Sequence, residues 1–211
     1  MNFMKIIFAS ILVCTSFSAL SIRSQGFIYD QQSANEFTTG EAGINLITGQ
    51  PAGQSFTPAF SAIDFVSLQL VDANWGNGIG ATVFVNIFSG SLTNGTLLGS
   101  STPVFLPDSF GVGGTGVVGI TNFLFSSSVA VTAGATYYLQ PILQSGDTGW
   151  EVEANVFNYP GGTAYYQGAP APLFDLWFRE GILAVPEPSV FALGIFGGVW
   201  LFARRRRIRP T

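Results

Sequence analysis

An all-β sandwich is the fold class this sequence predicts, and three observations predict it. Apolar residues recur with period two in short stretches between Phe27 and Leu183. Glycine-rich turns separate these stretches about every ten residues, the spacing of a sandwich's strands. Nothing in that segment carries helical periodicity over more than about two turns.

The N-terminus precedes that pattern and reads differently. Lys5 follows Met1-Asn2-Phe3-Met4, an apolar run covers Ile6 to Val13, and small residues stand at Ser16, Ser18, Ala19 and Ser21. A short positive region, an apolar core and small residues at its end describe a secretory signal peptide, expected over 1–24. The run is too short for a stable membrane span. Cys14, the one cysteine, lies inside it behind bulky Val13, so it leaves with the peptide and is no lipidation site. The mature chain then has neither a disulfide framework nor a cysteine-held metal.

The extracellular segment, 25–183, is read strand by strand. Ile63 to Val71 puts Val66, Leu68 and Leu70 on one face and Ser67 and Gln69 on the other. Ala81 to Ser89 does the same with Val83, Val85 and Ile87 against Phe84, Asn86 and Phe88. Val117 to Phe125, Thr136 to Leu143, Glu151 to Phe157 and Phe174 to Gly181 follow the same pattern. Between them lie Trp75-Gly76-Asn77-Gly78, Ser89-Gly90, Asn94-Gly95, Gly111 to Gly116 and Pro160-Gly161-Gly162, all turn chemistry.

Charge is segregated along the chain. Only 9% of residues are charged and histidine is absent. From Gly26 to Val185 eleven acids face one base, Arg179, a formal charge of −10. Such a segment cannot neutralise a run of phosphates, so nucleic acid is excluded as a partner. The absence of histidine removes every Ser-His or Cys-His nucleophile and every histidine metal ligand. Of the remaining bases Lys5 and Arg23 lie near the N-terminus, and five cluster at the other end, at Arg204, Arg205, Arg206, Arg207 and Arg209.

That end, 184–211, has three parts. Val185-Pro186-Glu187-Pro188-Ser189 is a stiff linker, because two prolines one residue apart resist helix and sheet. Val190 to Ala203 is uncharged and reads as a membrane helix, short for a full span but extended by snorkelling arginines. The arginines stay cytoplasmic by the positive-inside rule, which puts the acidic segment outside and agrees with a signal peptide. Gly194 and Gly198 form a Gly-x-x-x-Gly pair that reads as simple tolerance of glycine in such a helix. Pro186, Glu187 and Pro188, the apolar segment and the arginine cluster together resemble a PEP-CTERM sorting signal. The resemblance implies processing by an exosortase in the inner membrane of an exopolysaccharide-producing Gram-negative bacterium, and delivery to the cell surface or extracellular matrix. It implies that Pro186, Glu187 and Pro188 mark the processing region, with Arg204 to Arg207 as the membrane stop. A permanent single-span anchor is the alternative.

The central segment resembles a bacterial extracellular jelly-roll module. The pieces that carry this are Gln54-Ser55-Phe56-Thr57, Thr82 to Phe88, Gly95-Thr96-Leu97-Leu98, Val131 to Tyr138, and Phe174 to Arg179. They span 54–180 and imply an antiparallel jelly-roll-like β-sandwich, with no catalytic motif among them.

Candidate chemistry is sparse, and no catalytic residue is assigned. Asp147-Thr148-Gly149 matches the tripeptide of aspartic proteases but has no second copy, so it reads as a loop aspartate. Glu151 and Glu153 share one strand face about 6–7 Å apart, a spacing that suits glycoside hydrolysis or part of a calcium site but more simply a solvated face. No cofactor is expected, apart from a structural calcium to which Asp64, Asp72, Asp175 and Glu180 could contribute oxygens. Arg179 is expected to pair with a carboxylate. The candidate carbohydrate contacts are Trp75, Trp150, Tyr165 and Tyr166, in or beside Gly- and Pro-rich loops, with Tyr159 near them. The expectation is a non-enzymatic exported surface or matrix protein associated with extracellular polysaccharide. A carbohydrate-binding module is the first alternative and a secreted glycosidase the second.

Overall fold

The computed structural model describes residues 26–33, 43–112 and 119–184. The chain divides into a unit of Phe27–Leu183 and a second unit of Met1–Gly26 with Ala184–Thr211, of which Gly26 and Ala184 are described. The signal peptide over 1–24, the Pro186-Glu187-Pro188 motif, the C-terminal helix and the Arg204, Arg205, Arg206 and Arg207 cluster lie outside the described residues. Among the described residues no helix is long and apolar enough to cross a membrane.

The Phe27–Leu183 unit is all-β, in two antiparallel sheets that fit a β-sandwich. The strands are β1 (Phe27–Ser33), β2 (Gly43–Asn45), β3 (Gly53–Phe56), β4 (Ala62–Asp72), β5 (Ala81–Ser89), β6 (Thr96–Ser100) and β7 (Val104–Leu106). They continue as β8 (Ile120–Ala130), β9 (Tyr137–Ser145), β10 (Trp150–Asn155), β11 (Ala164–Tyr166), β12 (Ala169–Ala171), β13 (Asp175–Leu176) and β14 (Phe178–Leu183). One sheet runs β1-β14-β4-β10-β13, with β8 also on β4 and β2 also on β10. The other runs β12-β11-β3-β9-β5-β6, with β7 also on β5.

Period-two patterning decides which side chains meet between the sheets. Val66, Leu68 and Leu70 of β4 and Val152 and Ala154 of β10 are buried in a core with Val83, Val85 and Ile87 of β5 and Leu139 of β9. Full burial of an aliphatic side chain stabilises the fold by about 1.5–3 kcal/mol. Ser67 and Gln69, on the other face of β4, are buried as well, at 2% and 7% exposure. The sandwich is closed along one side where the chain leaves β6. The Ser101 amide donates to Val85 O at 2.8 Å, its hydroxyl accepts from the Val85 amide, and the Thr102 amide donates to Leu124 O of the other sheet.

Two expected strands depart furthest from their sequence limits. The segment Phe174 to Gly181 is interrupted at Trp177, whose amide donates to Glu153 O, because β13 pairs with β10 and β14 with β4 and β1. Strand β8 runs on to Ala130, since Val129 returns to the core after three exposed serines. A bulge opposite, between Ile63 and Phe65, absorbs the change of register.

Candidate functional site

The chain leaves β4 into a loop over residues 73–80 that is held from two sides. Gly76 and Gly78 both have φ of +79°, a conformation that an L side chain strains to adopt, which explains the Gly-Asn-Gly sequence. Their amides donate to the two carboxylate oxygens of Asp108, at 2.9 and 3.0 Å. Asn74 and Asn77 donate their side-chain amides to one oxygen of Asp147, Asn74 at 2.9 Å. The Gly149 amide closes on the other oxygen at 3.1 Å. Ala73 N–H donates to Gly149 O, and Ile79 N–H to the Asn77 side-chain oxygen. Two aspartates from different connections, β7–β8 and β9–β10, thus define the shape of a third.

Asp72 ends β4 beneath this loop with no exposure, and accepts the Asn74 and Ser109 amides at 2.9 Å each. Burial pushes its carboxyl above the usual range, and Asp108 and Asp147 add to the rise. Burial also opposes ionisation of Asp108, but the Gly78 and Gly76 amides and the contact with Asp72 outweigh it and hold its pKa low. At Asp147 the Asn77 amide dominates, and with Gly149 and Asn74 it overcomes burial to lower the pKa. Amide dipoles do the work of counter-ions in a domain with one base.

The indole of Trp75 projects from this fixed loop, 64% exposed. The loop ends at Gly80, where the Phe105 ring lies so close that a Cβ would meet its Cζ at 2.7 Å. Phe105 is itself exposed.

The other expected aromatic contacts fare differently. Trp150 is completely buried in the core and is withdrawn as a surface contact. Strand β10 begins at Trp150 itself, with Trp150, Val152 and Ala154 all pointing inward, whereas the glycines before it suggested a loop. Tyr159 is also buried, its ring edge-on to Phe178 at 5.2 Å. Tyr165 is half-buried edge-on to Tyr138 at 5.6 Å. Tyr166 is exposed beside Gly49, in a turn that Asn45 ties to Thr148 O at 2.7 Å. Trp177 is fully buried, and the Arg179 guanidinium lies 5.0 Å from its ring centroid and 5.2 Å from that of Tyr29. Arg179 thus makes cation–π contacts that its lone charge did not suggest.

Of the carboxyl groups, Asp147 is indeed a loop aspartate, engaged by its own Gly149 amide. Glu151 is half-buried, its side chain lying across Gly43, and Glu153 is 2% exposed, so the solvated face expected for this pair is not found. The cause is that β2 pairs alongside β10 at these positions. Asp64 accepts from Ser128 Oγ and the Leu183 amide, and Asp175 from Gln54 and the Tyr159 amide. Among the described residues no group of three or more His, Cys, Asp or Glu is arranged to hold a metal ion.

Glu180 was expected only as a possible calcium ligand. Parity along β14 turns it inward with Phe178, and it has no exposed surface. Neither oxygen has a hydrogen-bond partner in good geometry. Burial, reinforced by the Asp30 charge and only partly offset by the nearby Gln31 amide, pushes its pKa to about 8. Tyr159 beside it is pushed up to about 12, by burial first and then by the charges of Glu180, Asp30 and Asp175, against the Thr57 amide. The alternation of Phe178, Arg179 and Glu180 was the signal that could have shown it.

No protein-family model matches this sequence, and no curated protein does.

Proposed function

We propose that this chain is an exported, non-enzymatic surface or matrix protein, a jelly-roll-like domain delivered by a PEP-CTERM signal and associated with exopolysaccharide. One observation carries the reading. All fourteen described strands lie within Phe27–Leu183, and the first pairs with the last, Phe27 opposite Leu183. Removal of 1–24 and of the chain beyond Pro186 would therefore leave every one of these strands and its partner. Strand neighbours distant in sequence, β1 with β14 and β3 with β9 and β11, suit a jelly-roll. The exosortase and the inner membrane are the partners of the precursor, and the polysaccharide layer is that of the product.

The test is the C-terminal peptide of the mature protein, mapped by mass spectrometry from the native host's surface fraction. A terminus between Pro186 and Ser189 supports processing. A terminus at Thr211 means a permanent anchor and removes the exosortase from the reading.

A further inference from the structure

We infer that the end of the sandwich around Trp75 is a binding site for a neutral polysaccharide chain, with the indole as its stacking platform. The inference deepens the proposed function; it rests on that reading for where the glycan comes from, while the site itself rests on geometry.

Three features converge on this class of ligand. The first is an exposed indole on a loop that is already shaped. Trp75 packs into no core, yet its loop is braced by Asp108 through Gly76 and Gly78 and by Asp147 through Asn74 and Asn77. A braced platform loses little conformational entropy when a ligand lands, which is what binding requires of a shallow site. The flat apolar face with one N–H matches the axial C–H face of a pyranose ring. The second is the set of polar groups around it. Asp147 is half-buried and carries two oxygens of unequal load, one taking Asn74 and Asn77 and the other Gly149 alone. An ionised carboxylate has about four lone-pair sites, so acceptor capacity remains for sugar hydroxyls, which donate. Phe105 at the far end of the loop provides a second apolar ring for a chain longer than one sugar.

The third is charge. Asp108 and Asp147 hold their charges down to lower pH than ordinary carboxyls, and acids outnumber bases eleven to one in the segment. A uronate or sulfated chain would be repelled at this surface, whereas neutral hydroxyls are attracted to it. The ligand is therefore a neutral glycan.

The experiment uses the full chain in a sugar-free zwitterionic detergent and measures retardation in affinity electrophoresis. The probes are soluble β-1,3-glucan, β-1,4-mannan, xylan, dextran and polygalacturonate. The expected result is retardation by at least one neutral probe and none by polygalacturonate. Trp75→Ala should weaken that affinity by about tenfold or more, and Trp75→Phe should restore part of it. Leu97→Ala, at an exposed position toward the other end of β5, should bind like the wild type. Because Trp75 is exposed, unchanged thermal unfolding should accompany its loss of binding. Failure of every neutral probe, preference for polygalacturonate, or wild-type affinity in Trp75→Ala overturns the site. An intact C-terminus in the host overturns the sorting proposal and leaves these binding results standing.

Discussion

Replacement of Glu180 by Gln should change how the stability of this domain depends on pH. The carboxyl is fully buried without a hydrogen-bond partner in good geometry, and its pKa is raised from 4.5 to about 8. Below pH 4.5 the folded and unfolded chains both hold the proton, and the group leaves stability unaffected. Between 4.5 and about 8 the unfolded chain releases it while the folded chain keeps it, so stability falls as pH rises. The slope is about 1.4 kcal/mol per pH unit, and across that window the loss is about 5 kcal/mol. Above the folded pKa the loss is complete and no longer grows. Against a total of about 5–15 kcal/mol for a typical domain this is a large part. Gln is nearly isosteric and does not ionise, so Glu180→Gln should flatten the dependence and exceed the wild type by several kcal/mol at pH 9. Urea unfolding at pH 4.5, 6, 7.5 and 9, followed by the fluorescence of the buried tryptophans, measures both. The difference between the two proteins is the quantity to read, because the other acids are common to both. A difference that stays constant from pH 4.5 to 9 would refute the argument that burial holds this proton.

The loop carboxylates should show the opposite sign. Asp108 and Asp147 have lowered pKa values, so their contribution is present above pH 4 and is lost as pH falls through the folded values; Asp108→Asn should cut acid sensitivity in denaturation below pH 4. Leu68→Ala removes a fully buried core side chain and should cost about 2–5 kcal/mol in urea unfolding, whereas Leu97→Ala, at an exposed site, should stay within about 0.5 kcal/mol. Gly111→Ala should destabilise by more than about 1 kcal/mol, since its φ is +73° and a Cβ would stand 2.2 Å from Leu70 O.

The sequence made the strands legible where alternation is strict. The whole of β5 was read at its true limits, Ala81 to Ser89, because its inward Val83, Val85 and Ile87 alternate strictly with Thr82, Phe84, Asn86 and Phe88. Strand β1 was not read, because Phe27-Ile28-Tyr29 followed by Asp30-Gln31-Gln32 does not alternate and its pairing contains a bulge. The candidate site was legible only at Trp75 and its glycines. Asp108 and Asp147 lie 32 and 70 residues from the loop positions they bind, a separation that no local pattern crosses. Trp150 shows the converse error: a tryptophan beside glycine looks like a loop residue until strand parity turns it inward.

The acid excess has a physical explanation that composition alone misreads. Eleven acids against Arg179 suggest carboxylates standing free in solvent. The fold instead uses many of these carboxylates as braces between distant backbone segments. Asp30 takes the Ala59 and Phe60 amides, Asp64 the Leu183 amide, Asp72 those of Asn74 and Ser109, Asp108 those of Gly76 and Gly78, and Asp175 that of Tyr159. All but the Leu183 amide, at the end of β14, belong to connections between strands, and each amide stabilises a charge without a lysine. A chain with few bases and glycine-rich connections can order its loops in this way because aspartate is short, rigid and doubly accepting. Glu180 stands apart: it is longer, faces the core, and has no such amide in good geometry, which is why burial holds it protonated near neutral pH.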